Sequence, residues 1–71
     1  MSQKYIVNRN VRRIIDDEDK RPGAVADKAG IRRDVFSRII NYKRPVYADE
    51  VIPIAAALQV SIDELFREVA T

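Results

Sequence analysis

Between positions 32 and 41 the chain sets Arg32, Arg33, Asp34, Ser37, Arg38 and Asn41, a run of strong hydrogen-bonding groups. Arginine carries a planar fork that donates two parallel hydrogen bonds to the paired acceptors on guanine, and a carboxylate such as Asp34 accepts from the amino group of cytosine. At helical spacing Asp34, Ser37, Arg38 and Asn41 fall on one face. The segment therefore predicts a helix whose outer side is lined by groups suited to reading base edges. Further cations flank it, with Arg21 upstream and Lys43 and Arg44 downstream.

That helix needs a partner to hold it, and the stretch from Arg21 to Asn41, RPGAVADKAGIRRDVFSRIIN, has the spacing of a helix-turn-helix. Val25, Ala29 and Ile31 supply apolar contacts from a first helix and its turn, and Phe36, Ile39 and Ile40 recur at helical spacing in a second. Ala26 sits beside the first stripe, where a methyl group lets two helices cross closely. Pro22 suits the first helical position because its missing N–H is not needed there. Gly30 follows the last helical residue and takes the left-handed conformation of a turn without a Cβ clash. Val35 belongs at the edge of the core, with a thymine methyl as its alternative contact.

Five helices and no strand are expected, joined by short connections into a compact all-α bundle. The first runs from about Asn8 to Asp17 and carries Val7, Val11, Ile14 and Ile15 at helical spacing. The second covers Pro22 to Ala29 and the third Arg33 to Asn41, followed by a basic loop, Tyr42 to Val46. The fourth, about Ala48 to Leu58, places Val51, Ile54, Ala55 and Leu58 on one stripe, with Asp49 and Glu50 in the first turn where the helix dipole favours them. Pro53 is out of place there: it should remove a hydrogen bond or kink the helix unless the helix begins later. Ser61 and Glu64 have the spacing of a capping box and Val60 and Leu65 that of a hydrophobic staple. Phe66 and Val69 extend the apolar face, so a fifth helix should close the bundle.

Seventy-one residues make one small domain, which buries about 60% of the surface its unfolded chain exposes. There is no cysteine and no histidine, so a disulfide framework, thiolate chemistry and a side chain titrating unaided near neutrality are all missing. An enzyme is not expected, since no clustered acid/base pair is displayed, and neither a cofactor nor a small-molecule ligand is indicated. The acidic run Asp16 to Asp19 cannot converge on one ion from a helix end and reads as a solvated corner rather than a metal site. No apolar run reaches membrane-spanning length, and the polar start MSQKYIVNRN lacks the apolar stretch of a secretory signal, which predicts a cytoplasmic protein without membrane contact. Net charge is only +2, yet residues 1–20 carry five basic and four acidic groups, residues 21–44 seven and two, and residues 45–71 one and five. A basic middle of this kind suits a polyanion, nucleic acid first of all.

From about Val11 to Phe66 the chain resembles the Cro/cI-like (Xre-type) helix-turn-helix family of lambda-repressor-like domains. The resemblance rests on VADKAGI, on the helix with Ser37, Arg38, Ile39 and Asn41, on the loop YKRP, and on IAAALQVSIDELF. Three positions depart from the family pattern. Pro22 stands where a glutamine usually serves a DNA phosphate. Ile15 and Ile40 stand where an arginine and a glutamate form a buried pair in many relatives, and replacing both ends with apolar groups is tolerated where losing one is not. Tyr42 replaces a glycine after the third helix, and must either accept a left-handed backbone or end the helix differently.

The resemblance implies that the outer face of the third helix lies in the major groove of double-stranded DNA. Arg33, Asp34, Ser37 and Arg38 then become the base-reading residues. Arg32 reaches a base edge or a phosphate, or stands as an exposed turn residue. Asp34 is favoured by the helix dipole alone and repels phosphates unless aimed at a base. Arg21, Asn41, Lys43 and Arg44 become the phosphate contacts that fix register, and Tyr47 either adds a hydroxyl or packs the turn. The implied activity is a sequence-specific transcriptional repressor, phage-type or autoregulatory. It would act as a homodimer, completed on DNA if not before, on palindromic half-sites one helical turn apart. The loop near Val46, the turn around Gln59 and the C-terminal helix are the candidate dimer contacts. A protein-interaction module on the same fold is the alternative.

Overall fold

The computed structural model describes residues 5–68. Within them five α-helices occur in the expected order: α1 (Ile6–Asp17), α2 (Pro22–Ala29), α3 (Arg33–Ile40), α4 (Ala48–Leu58) and α5 (Ile62–Leu65). No strand is found among the described residues. One core unites them, built from Val7, Val11, Ile14 and Ile15 of α1, Val25 and Ala26 of α2, Phe36, Ile39 and Ile40 of α3, Val51, Ile54, Ala55, Ala57 and Leu58 of α4, and Leu65 of α5. The long helices α1 and α4 form the frame: α1 packs against α3, α4 and α5, while α2 packs against α4 and α3. Ala26 is fully buried, and its methyl side chain removes the bulk that would hold α2 off its neighbours. Ile15 and Ile40 are both buried in this core. The radius of gyration is 10.9 Å, against about 11 Å for a compact chain of this length.

α1 begins at Ile6 rather than Asn8. The reason is visible in Asn8 itself, which is fully buried and turns its side chain toward the end of α3 instead of capping its own helix. α4 runs from Ala48 with Pro53 inside it, so the helix does not start later. Pro53 has no N–H for the carbonyl of Asp49 one turn back.

α5 is shorter than its apolar pattern suggested. It stops at Leu65, which is buried, and Phe66 is 49% exposed rather than part of a closing face; Val69 lies outside the described residues. The side-chain amide of the buried Asn10 donates to the carbonyls of Leu65 and Arg67 at 2.8 Å each, tying the chain down where the helix ends. Only one half of the expected capping box forms, Glu64 N–H to Ser61 Oγ at 3.4 Å, and the Glu64 carboxylate faces Arg67 instead.

Four helices end in the same way. A residue with positive φ (Asp19 +53°, Gly30 +71°, Tyr42 +59°, Gln59 +59°) turns the chain. The N–H of the following residue then reaches back to the last turn, as in Lys20 to Ile15, Ile31 to Ala26, Lys43 to Arg38 and Val60 to Ala55. This pairing satisfies carbonyls that a helix end otherwise leaves open.

Candidate nucleic-acid interface

The inner face of α3 is spent on the core through Phe36, Ile39 and Ile40, with Val35 partly buried beside them. Arg33, Asp34, Ser37 and Arg38 are exposed, as is Asn41 just past the helix end. Periodicity therefore settled which side of the helix faces out. The end of the helix is held firmly. Asn8 Nδ2 donates to the carbonyls of Ile39 and Arg44, at 2.8 and 2.7 Å, and Val46 N–H donates to Asn8 Oδ1 at 3.3 Å. One buried amide on α1 thus fixes the end of α3 and the loop after it as a unit. Arg12 adds a hydrogen bond to the carbonyl of Ile40 at 3.0 Å, placing a cation at the negative end of the helix dipole. Tyr42 accepts the left-handed backbone, and its ring meets that of Tyr5 edge to face with centroids 6.2 Å apart.

The six cations expected to meet nucleic acid divide into two kinds. The side chains of Arg21, Arg38 and Lys43 are exposed and have no hydrogen-bond or ion-pair partner among the described residues. Arg32, Arg33 and Arg44 each hold a carboxylate. Arg44 donates through Nη1 and Nη2 to Glu50 at 2.9 and 2.7 Å and through Nη1 to the carbonyl of Pro45. Its side chain is only 21% exposed and that of Glu50 16%, and its guanidinium lies 4.3 Å from the centre of the Tyr47 ring. Glu50 also accepts the N–H of Tyr47 at the start of α4. The Arg44 hydrogen bond, aided by that N–H, holds the Glu50 carboxyl below the ordinary carboxylate range. Arg44, expected at a phosphate, thereby joins the loop to α4 through Glu50. Tyr47 is a packing partner of its guanidinium.

Arg32 and Arg33 use a different edge. Arg32 donates through Nε and Nη2 to Asp34, both at 3.1 Å. Arg33 donates through Nε and Nη2 to Asp27 of α2, at 3.1 and 2.6 Å. Asp34, expected to accept from a base, has both oxygens taken by Arg32. Asn41 turns its amide back to the carbonyl and hydroxyl of Ser37, and Ser37 is occupied to that extent. Arg21 precedes an α2 that no side chain caps, so its first-turn N–H groups accompany the Arg21 cation at that end.

The acidic corner at the end of α1 resolves into local ion pairs: Arg12 with Asp16, Arg13 with Asp17, and Lys20 with Glu18. No group of three or more potential metal ligands occurs among the described residues. None of their helices is long and apolar enough to cross a membrane.

Asn8, Asp27 and Glu50 escaped the sequence reading in these roles, though each left a trace. Asn8 stands seven residues before Ile15 on the apolar stripe of α1, where a polar residue must find buried partners. Asp27 lies in the second half of α2, where the helix dipole disfavours an acid and some other contact has to justify it. Glu50, in the first turn of α4, is explained by the helix dipole without any partner. Comparison of the chain with family models, with curated proteins and with solved structures finds no match.

Proposed function

We propose that this chain is a sequence-specific DNA-binding regulator with a lambda-repressor-like fold, and that α2 and α3 form its helix-turn-helix. The observation that carries the reading is the outward face of α3. It presents Arg38 unpaired and Arg33 at its start, with the unpaired cations Arg21 and Lys43 on either side of it in the chain. Arg38 supplies a fork for a base edge, and Arg21 and Lys43 supply the charge that holds phosphates on either side. Acting as a homodimer on a palindrome, the protein would repress by occupying an operator and excluding polymerase. It needs no cofactor and performs no catalysis.

One observation favours the other reading, a protein-interaction module. Asp27 and Asp34 neutralise two of the arginines that the DNA reading uses. Substitution Arg38→Ala separates the two. A DNA reader loses about 1–3 kcal/mol on its selected duplex and relaxes its preference at one base position. An interaction module shows no change in any nucleic-acid assay.

A further inference from the structure

We propose that Asp27 is a positioning residue that holds Arg33 for the reading of a guanine, with Gly23 providing the seat. The inference rests on the DNA-binding reading above and adds to it which edge of Arg33 is offered, by what, and to which base.

A guanidinium has two edges that can make paired hydrogen bonds. One joins Nε and Nη2 along the side, and the other joins Nη1 and Nη2 at the tip. Asp27 takes the side edge of Arg33 with both oxygens. The tip, with its two parallel N–H groups, has no partner among the described residues. Arg44 is the contrast within the same chain: Glu50 occupies its tip, and its side chain is only 21% exposed. Arg33 is 69% exposed, so its pairing with Asp27 does not hide it.

Gly23 completes the arrangement from one turn earlier on α2. A Cβ at this position would lie 3.2 Å from Arg33 Cζ and 3.3 Å from both Nε and Nη1. Near-equal distances to three atoms of the plane place the backbone of Gly23 against the flat face of the guanidinium, leaving the tip open. Two neighbours on α2 therefore set the direction of a side chain on α3. A fork fixed before binding gives up less rotamer freedom when it pairs with the adjacent O6 and N7 acceptors of guanine. The acid contributes direction at the expense of attraction to phosphate, so its removal separates the two effects by sign.

The test has one reading on the free protein and one on DNA. In nitrogen-15 NMR of the free protein, the Arg33 Nε–H is expected to exchange slowly and its guanidinium to rotate slowly, both reverting to the behaviour of Arg38 in Asp27→Ala. An Arg33 as mobile as Arg38 in the wild type overturns the proposal. In duplex selection the wild type should enrich guanine at one position of each half-site, and Arg33→Ala should lose that enrichment. Asp27→Ala should weaken the guanine preference by roughly tenfold while binding unselected DNA at least as tightly, because a negative charge has gone. Gly23→Ala changes no charge and replaces glycine with a better helix former, and should give a smaller loss of the same preference in a folded protein. If Asp27→Ala keeps the guanine preference, the positioning role is wrong and DNA reading stands. If the wild type selects no sequence at all, the DNA reading fails and this inference with it.

Discussion

Two asparagines on α1 contribute to stability in a way their residue type does not suggest. Asn8 and Asn10 are both fully buried, and no buried side-chain nitrogen or oxygen among the described residues lacks a hydrogen-bond partner. Removing Asn8 strands the carbonyl of Arg44 and weakens the hold on that of Ile39, so Asn8→Ala should lower unfolding free energy by about 2–4 kcal/mol. Urea denaturation measures it, and a loss under about 1 kcal/mol would mean that the amide is not clasping α3 to the loop. The Arg44–Glu50 pair is the second residue-scale device. Because Arg44 lowers the Glu50 carboxyl in the folded protein, the pair's contribution is complete above the carboxyl's ordinary titration range and disappears as pH falls through the lower folded value. Glu50→Gln should therefore be less stable than wild type at neutral pH and lose less on acidification. Denaturation curves collected from neutral to acid pH should converge for the two proteins.

At the scale of elements, the helices were legible because their apolar stripes are: α2 and α4 have the expected bounds, whereas α1 starts two residues earlier and α5 stops short. A left-handed residue closes α1, α2, α3 and α4, and only α2 uses glycine for it. Gly30 could be read from its type, while at Tyr42 the sequence left open a left-handed backbone or a different helix end. Asp19 and Gln59 gave no such signal, since each is forced into that conformation by hydrogen bonds from the next residue. Backbone strain predicts opposite outcomes at two of these ends. A Cβ at Gly30 meets nothing within 4 Å, so Gly30→Ala should destabilise through backbone conformation alone, by about 1 kcal/mol. Gln59→Gly should be neutral to stabilising by about 0.5–1 kcal/mol, the relief of the same strain less the extra entropy of the unfolded glycine. Thermal unfolding of both variants checks the pair, and equal signs would contradict the account. α5 was misjudged in length because an apolar pattern records which residues can pack, whereas Asn10 decides where the chain is tied.

For the whole molecule, charge was legible as a count and less so as an arrangement. The acidic excess of residues 45–71 includes Asp49 and Glu50 in the first turn of α4 and Asp63 and Glu64 in that of α5, where acids serve helix starts. In the basic segment 21–44 the two acids already counted, Asp27 and Asp34, take Arg33 and Arg32, and Glu50 from outside the segment takes Arg44. What remains unpaired in that segment is a smaller set, Lys28 on α2 and Arg21, Arg38 and Lys43 around α3, whose composition no count along the chain could give. Pairing depends on side-chain reach across helices, as in Asp27 of α2 with Arg33 of α3. The outward face of α3 was readable from period alone, and which of its groups are available was not.

On the proposed function, this face of α3 reads a DNA sequence. Selection of bound duplexes from a random pool by the purified protein, at low and near-physiological salt, tests it most directly. Recovery, at both salts, of a palindrome with half-site centres about ten base pairs apart is expected. DNA recovered without enrichment and lost as salt rises would reduce the protein to a basic surface, and no recovery at either salt would contradict the claim outright.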